Sequence, residues 1–219
     1  MGSPDTEEGR SSNEGPVHTV TLSPFLIAKY EVTQAEYEAV MAGNTAGLNP
    51  TPSDNYGNAP LDPQRPVEQV SFNDLQDADG FLARTDLSLP SEAQWEYACR
   101  AGQAGPFSGT GVLDDMGWQG QNAEGSHHPV GTKQANQFGL FDMHGNVYEW
   151  CEDFYNADFY NTDAATELDP VATSGSGFRV LRGGSFNSPA AYCRSAVRSK
   201  NLPGSRIYRF GFRPARPLP

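Results

Sequence analysis

The chain has 219 residues, of which 37% are hydrophobic and 11% aromatic, and it carries a net charge of −12 with 23 glycines and 17 prolines. This length suits one domain, and the glycine and proline content favours a loop-rich globular fold over a helical bundle or a doubly wound sheet. No apolar run approaches the roughly eighteen residues that span a bilayer, and no signal peptide is visible.

Charge is distributed unevenly along the chain. Residues 1–169 hold all 27 acidic residues and six basic ones, whereas residues 170–219 hold nine basic residues and no acidic one. A basic tail is typical of a nucleic-acid arm, but these arginines alternate with glycines and aromatics. Because guanidinium groups suit buried pairing with carboxylates, we predict internal ion pairs and no nucleic-acid partner. The predicted pairs join Arg182, Arg194, Arg198 and Arg213 to acids such as Glu96, Glu149 or Asp153.

The first half of the chain predicts two short strands and then two or three helices. Residues 17–32 alternate in polarity, are rich in β-branched and aromatic residues, and are interrupted at Pro24, which indicates the two strands. Helices are expected to begin after Thr33, Ser71 and Ser91. Each of these hydroxyls is followed three residues later by an acidic or amide side chain, which completes a capping box.

The second half predicts strands and loops. A loop rich in proline, asparagine and glycine is expected over 44–66, and helix signals end at residue 103. Strands are predicted within 146–150, 178–186 and 209–215. These elements predict an α+β fold in which the helices pack on a small, irregular antiparallel sheet. The aromatic residues expected in the core are Trp95, Phe141, Trp150 and Phe212.

Five blocks, taken in chain order, resemble one known family. They read "MGS…EGPVHTVTLSPFLIAKYEVT", "LPSEAQWEYACRAG", "GLFDMHGNVYEW", "RVLRGGSF" and "GFRPA". Together they run from Met1 to Ala215 and are similar to the formylglycine-generating enzyme (sulfatase-modifying factor) family. The resemblance implies a loop-rich, C-type-lectin-like fold that forms a single domain over 1–219. It also implies a trimmed N-terminus, since members usually have one more short strand before this point.

The family's enzymes oxidise a cysteine of a sulfatase to formylglycine, using copper(I) bound by two cysteines. Those cysteines follow a Gly-Gly-Ser-aromatic block, and the matching positions after Phe186 are Ser188 and Cys193. Copper(I) is soft and prefers thiolates, so a hydroxyl is a poor replacement. The serine at position 188 therefore argues against an enzyme. A copper-dependent oxidase and an accessory module of a larger bacterial protein are the alternatives.

The remaining cysteines and histidines leave alternatives open. Cys193 is either a small buried hydrophobic residue or the partner of Cys151 in a disulfide, with Cys99 a free thiol in a helix. Three cysteines allow at most one internal disulfide, so the redox compartment is not determined. The adjacent His127 and His128 cannot easily point at one metal ion, and we predict that they belong to a loop.

The block "DMHGNVYEW" matches a calcium-binding turn of the family. The resemblance implies carboxylate oxygens from Asp142 and Glu149 and backbone carbonyls from Gly145 and Val147. Hard oxygen ligands of this kind suit Ca²⁺. The alternative is that Asp142 caps a turn and Glu149 pairs with an arginine of the tail.

A subset of the family lacks the cysteine pair and resembles the variable proteins of diversity-generating retroelements. In those proteins, template adenines are mutagenised, so AAC codons become NNC codons that encode every residue type except Lys, Glu, Gln, Met and Trp. Residues 179–215 keep the corresponding frame in "GGSF", "CRSAVRS", "NLPGSR" and "IYRFGFR", although Lys200 does not belong to the permitted set. The predicted contact residues are Phe186, Ser188, Tyr192, Val197, Ser199, Asn201, Leu202, Ser205, Ile207, Tyr208 and Arg209.

This resemblance predicts a receptor-type protein that displays a diversified surface. Tyrosine and phenylalanine provide contact area at low entropic cost, serine and asparagine provide adaptable hydrogen bonds, and arginine anchors, as in an antibody paratope. We expect at least seven of the eleven contact residues to be exposed on one contiguous face. The partner would be a protein or surface ligand. The resemblance alone suggests a location on a cell surface or virion.

Overall fold

Short helices and two small sheets make up the computed structural model, which describes residues 1–54 and 62–218. The middle of the loop predicted over 44–66 lies outside the described residues. The strands are β1 (Phe25–Ile27), β2 (Tyr148–Phe154), β3 (Arg179–Arg182), β4 (Ser199–Asn201), β5 (Phe210–Gly211) and β6 (Ala215–Pro217). The helices are α1 (Gln34–Met41), α2 (Phe72–Gln76), α3 (Phe81–Thr85), α4 (Glu92–Arg100) and α5 (Leu113–Met116). Short 3-10 helices include Ser12–Glu14 and Ala190–Cys193.

The three predicted capping boxes all form. The hydroxyls of Thr33, Ser71 and Ser91 accept hydrogen bonds from the backbone N–H three residues on, at 3.1–3.2 Å. The second predicted helix is split into α2 and α3, because the backbone leaves the helical conformation at Asp77, where ψ is 149°. The turn that follows brings Gly80 so near α2 that a Cβ there would lie 2.3 Å from the carbonyl oxygen of Asp74. The four-residue α5 was not predicted, since its N-terminus carries no side-chain cap.

The four-stranded sheet has the order β4-β3-β2-β5. β3 pairs antiparallel with β2, in line with the predicted antiparallel sheet, and also with β4, a strand that was not predicted. The expectation of a wholly antiparallel sheet is wrong at β5, which pairs parallel with β2 through Tyr148–Phe210 and Glu149–Gly211. β1 and β6 form a separate antiparallel pair that joins the two ends of the chain. None of the helices formed by the described residues is long and apolar enough to cross a membrane.

The predicted aromatic residues lie in the core, with one exception. Trp95, Trp150 and Phe212 are fully buried, and the indole N–H of Trp150 donates to the carbonyl of Val70 at 2.9 Å. Phe141 is only half-buried, and the ammonium group of Lys29 lies 5.2 Å from the centre of its ring. The core aromatics therefore connect the helices of the first half to the sheet of the second half.

Four tail arginines are buried and paired with acids, as predicted. Arg182 lies between Glu92 and Glu96, with N–O distances of 3.0 and 2.7 Å, and Arg198 binds both carboxylate oxygens of Glu92 at 2.8 Å. Arg213 binds both oxygens of Glu149 at 2.7 Å. The tail is therefore fixed to α4 and β2 by ion pairs within the protein.

The partners of Arg194 were not predicted, and Asp153 is not an arginine partner. Arg194 pairs with Glu7 and Glu14, which come from the N-terminal segment. The carboxylate of Asp153 instead accepts hydrogen bonds from the backbone N–H groups of Glu92 and Ala172, at 2.7 and 2.9 Å. The N-terminus of α4 is thereby held against β2.

Candidate ligand-binding surface

Exposure divides the eleven predicted contact residues into three classes. Tyr192 and Leu202 are exposed, whereas Phe186, Ser188 and Val197 are buried, at 0%, 5% and 9% exposure. The expectation of seven exposed residues is not met, although eight of the eleven reach solvent at least in part. The partly exposed residues are Ser199, Asn201, Ser205, Ile207, Tyr208 and Arg209.

The buried residues support the surface from beneath. The ring of Phe186 lies between those of His127 and Tyr208, at centroid distances of 5.8 and 6.0 Å. The hydroxyl of Ser188 accepts the backbone N–H of Ser185 at 3.1 Å and lies 3.4 Å from the hydroxyl of Tyr148. Their assignment as contact residues is corrected for this reason, and so is that of Val197, whose side chain is enclosed by the fold.

One group of contact residues gathers above Tyr148. The phenol of Tyr208 is bonded to the side-chain amide of Asn187 at 3.1 Å, and the guanidinium of Arg209 lies 5.8 Å from its ring. Burial raises the pKa of Tyr148, and Tyr192 and Arg209 are both close enough to act on it electrostatically. We call Asn187, Tyr192, Tyr208 and Arg209 the display patch.

Asn187 was missed by the sequence analysis, although a signal was present. It lies between Phe186 and Ser188, and it is the residue that an unmutated AAC codon encodes. Its side chain is partly exposed and contacts both Tyr208 and the hydroxyl of Ser185. An asparagine inside the variable frame should therefore have been counted with the contact residues.

A second group lies along the edge strand β4. The hydroxyl of Ser205 donates to the side-chain oxygen of Asn201 at 2.8 Å, and Leu202 follows directly. β4 forms one edge of the sheet and β5, which follows Arg209, forms the other. The two edges lie three strand spacings apart, or about 14 Å. We call Ser199, Asn201, Leu202 and Ser205 the edge group.

Tight backbone packing holds the display patch in place. Gly183 and Gly184 have φ angles of 91° and 77°, which favour glycine. A Cβ on Gly184 would lie 2.6 Å from the sulfur of Cys193, and a Cβ on Gly211 would lie 2.6 Å from the carbonyl oxygen of Val67. The chain beneath the patch thus has little freedom to move.

The proposed calcium turn is buried and partly occupied by hydrogen bonds. Glu149 Oε2 accepts from the indole of Trp95 at 2.6 Å and from Arg213 at 2.7 Å, so Glu149 does pair with a tail arginine. Asp142 Oδ2 accepts the backbone N–H of Gly131 at 2.7 Å. Asp142 Oδ1 is buried without a hydrogen-bond partner. Burial raises the pKa of Asp142 to about 6.

The oxygen atoms at this turn are of the hard type that Ca²⁺ takes as ligands. Asp142 Oδ1 is free of protein donors, and Glu149 Oε1 accepts a hydrogen bond from Arg213 alone, which leaves it a lone pair. Gly145 and Val147 lie in the same turn. Glu31 is also buried, so that three acidic side chains act on the single guanidinium of Arg213. Burial and the charge of Asp142 raise the pKa of Glu31. Among the described residues, no cluster of three or more His, Cys, Asp or Glu side chains could hold a metal ion.

The cysteines are separate, buried thiols. Cys99, Cys151 and Cys193 are all free, so the disulfide alternative for Cys151 and Cys193 is wrong. Burial raises the pKa of the Cys99 and Cys193 thiols to about 12. Cys193 therefore behaves as a small buried hydrophobic residue at neutral pH.

One cavity lies away from the display patch. It measures about 720 Å³ and lies between residues 18–25 and helix α4, with Phe25, Tyr97 and Arg100 in its wall. No display-patch residue lines this cavity.

Comparison with known families settles the membership of the chain. A family model described as "Sulfatase-modifying factor enzyme 1-like domain" matches residues 1–218. The chain belongs to this family. The formylglycine-generating enzyme of Thermomonospora curvata is 30% identical, in an alignment that covers 97% of this chain and 88% of that protein.

Two solved structures of similar proteins share the fold of this family member. PvdO from Pseudomonas aeruginosa superposes with a TM-score of 0.85 at 31% identity, covering 100% of this chain and 90% of PvdO. Treponema denticola variable protein 1 superposes with a TM-score of 0.78 at 30% identity, covering 98% of this chain and 90% of the other. The predicted C-type-lectin-like α+β fold is confirmed, and so is the resemblance to variable proteins.

In this sulfatase-modifying factor family member, the two positions that match the family's copper-binding cysteines hold a serine and a cysteine. Ser188 presents a hydroxyl that is engaged with Ser185 and Tyr148. Cys193 presents a single buried thiol, whose sulfur lies 4.0 Å from the carbonyl oxygen of Pro189. One sulfur and one hydroxyl do not match the soft, low-coordinate preference of copper(I).

Proposed function

We propose that the protein is a ligand-binding domain that presents the display patch on a rigid C-type-lectin-like scaffold, as a variable protein of a diversity-generating retroelement. The observation that supports this proposal is the contrast at the patch. Tyr192, Tyr208 and Arg209 reach solvent, while the backbone beneath them is packed around left-handed glycines. A rigid base with a changeable surface is what a diversified binder requires.

The chemistry of the display patch suits a protein or surface ligand. Two tyrosines supply broad, amphipathic contact area, and interfaces are enriched in tyrosine and arginine. Asn187 supplies both a donor and an acceptor. The ligand would meet this patch on an outward-facing protein at a cell surface or virion.

The genome around the coding sequence tests this proposal directly. A diversified protein requires a nearby reverse transcriptase and a near-copy of the final coding segment that differs only at adenines. The differing codons should include those of Tyr192, Tyr208 and Arg209, and the near-copy should carry AAC at the position of Asn187. The differing codons should not include those of the buried arginines Arg182 and Arg213. If the genome contained neither a reverse transcriptase nor such a near-copy, the proposal would be refuted.

The second candidate is a formylglycine-generating oxidase, which the similarity to the Thermomonospora curvata protein favours. The test is conversion of cysteine to formylglycine in a sulfatase-motif peptide, with copper supplied. We expect no conversion by the wild-type protein, because the sulfur pair is incomplete. Ser188→Cys restores the second sulfur position and is the matched comparison. Turnover by the wild type, lost in Cys193→Ser, would establish the oxidase instead.

Calcium binding at the turn remains part of the proposal. Asp142 and Glu149, with the carbonyls of Gly145 and Val147, would hold the ion, which would supply positive charge to a cluster that is rich in acids. Its role would be structural, because the turn lies in the buried base and not in the display patch.

A further inference from the structure

Two titratable side chains are buried side by side under the display patch. Glu68 and His127 are 0% and 1% exposed, and Glu68 Oε1 lies 3.8 Å from His127 Nε2. Within residues 1–54 and 62–218, Glu68 Oε2 and both ring nitrogens of His127 have no hydrogen-bond partner. Buried polar atoms are nearly always satisfied, so this exception calls for a physical explanation.

The pair joins two segments of the chain. The backbone N–H of Glu68 donates to Ser53 Oγ at 3.1 Å, and the neighbouring Arg65 donates to the carbonyl oxygen of His127. The segments also share a backbone hydrogen bond, from the N–H of Val130 to the carbonyl of Gln64 at 2.9 Å. Ionising a group at this junction would act on both segments at once.

The junction also supports the display patch. The ring of His127 meets Phe186 edge-on at 5.8 Å, and Phe186 in turn contacts Tyr208 at 6.0 Å. A movement of His127 would therefore be transmitted through one buried ring to a patch residue.

Both groups are neutral at pH 7 for the same physical reason. Burial raises the pKa of Glu68 to about 8, where the N–H of Asp54 opposes the rise and the charge of Asp54 adds to it. Burial lowers the pKa of His127 to about 4, and the charges of Arg65 and His128 lower it further. No other titratable group is resolved as acting on either side chain.

We propose that Glu68 and His127 form a pH-sensitive switch: while both are neutral, segments 64–68 and 127–130 stay joined by their hydrogen bonds beneath the display patch, and the segments separate as Glu68 ionises. The proposal goes beyond ligand binding and holds whether or not the patch has a diversified origin. An ionised Glu68 would be a buried carboxylate beside a neutral imidazole, and such a charge is costly without a partner.

The direction of the pH effect follows from proton counts in the closed and open states. An exposed Glu has a pKa of 4.5 and an exposed His one of 6.5. Between about pH 4.5 and 6.5, the closed state holds one proton on Glu68 and the open state holds one on His127, so opening is insensitive to pH. From about 6.5 to 8 the closed state holds one proton more. A rise from pH 6.5 to 8 then favours opening by about eightfold, because the His127 of the open state and the Glu68 of the closed state are each half-titrated at the ends of this window.

The test is amide hydrogen exchange at Val130, corrected for the intrinsic exchange rate. We expect its protection to fall about eightfold between pH 6.5 and 8 in the wild type. In Glu68→Gln the fall should vanish, and in Glu38→Gln, where the side chain is exposed, it should remain. A Glu68→Gln protein that loses protection in parallel with the wild type would overturn the proposal.

A second variant tests whether His127 takes part in the pH response or Glu68 acts alone. In His127→Phe, the compensating proton of the open state is gone, so the fall should begin near pH 4.5 instead of 6.5. An unchanged window would show that His127 takes no part. Should Glu68→Gln fail to fold, the ring-proton NMR signal of His127 in the wild type provides the same test. It should show an inflection near pH 8 from Glu68, and its absence would overturn the proposal.

Discussion

At the scale of single residues, the ion pairs of the buried arginines contribute most to fixing the tail in the fold. Arg213 is completely buried and bonded to both oxygens of Glu149. Removing one member of such a pair leaves the other as an uncompensated buried charge, which typically costs about 3–5 kcal/mol. The net contribution of the ion pair to the free energy of folding is therefore smaller than the loss of stability when one partner is removed.

We predict that Arg213→Ala lowers the free energy of unfolding by about 3–5 kcal/mol. The matched control is Arg216→Ala, because Arg216 is exposed in β6 and its loss should change stability by no more than about 0.5 kcal/mol. Chemical denaturation of both variants measures the difference. Equal losses in the two variants would contradict the role assigned to Arg213.

The calcium turn yields a second prediction at this scale. Because Asp142 Oδ1 has no protein partner, a bound Ca²⁺ should stabilise the folded state. An excess of a hundred times the Kd contributes about 2.7 kcal/mol, which raises the Tm of a chain of this size by about 5–10 °C. Thermal melts with EDTA, Ca²⁺ and Mg²⁺ test this, and Mg²⁺ should have the smaller effect. A Tm that is the same in EDTA and in Ca²⁺ would show that the turn binds no calcium.

At the scale of elements, the glycine pair after β3 places the patch. Both glycines have positive φ angles, which favour glycine. At Gly184 the φ of 77° is only one of two reasons why a larger residue would be destabilising. The other is Cys193, whose sulfur would lie 2.6 Å from an added Cβ. Gly177 has a similar φ of 80° and open space around it.

The two glycines therefore form a matched pair for measurement. Gly184→Ala and Gly177→Ala share the backbone strain, so their difference isolates the steric contact with Cys193. We predict that Gly184→Ala is the less stable by about 1–3 kcal/mol, the usual cost of overpacking. Chemical denaturation measures the difference, and equal stability would mean that the chain near Cys193 adapts freely.

Local signals made some elements predictable and left others hidden. The capping boxes at Thr33, Ser71 and Ser91 depend on residues three apart, so the sequence shows them directly. The split at Gly80 depends on a close approach to the carbonyl of Asp74, and the parallel pairing of β5 depends on the path of the whole tail. Neither effect has a local signature.

The same distinction explains the contact residues. The residue types that NNC codons encode identified positions in the variable frame, but a codon pattern carries no information about side-chain burial. Phe186 and Ser188 are buried because His127 and Tyr148, which are distant in sequence, pack against them. Asn187 lies between them and reaches solvent. Only the three-dimensional fold separates these neighbours.

At the scale of the whole molecule, stability and display are assigned to different parts of the tail. Arginines of the tail are buried against acids of the body, and the core aromatics join both halves of the chain. The display patch lies outside this framework. A molecule built in this way should tolerate changes at the patch, and that tolerance is the central physical claim.

The melting temperature of a patch variant tests this claim most directly. Tyr192, Tyr208 and Arg209 are replaced together by serine, and the comparison is the single buried change Phe186→Ala. Exposed substitutions cost up to about 0.5 kcal/mol each, whereas a buried Phe→Ala change costs about 3–5 kcal/mol. We predict that the triple variant melts within about 6 °C of the wild type and well above Phe186→Ala. A triple variant that melts as low as Phe186→Ala would show that the display patch belongs to the structural core, and it would contradict the account.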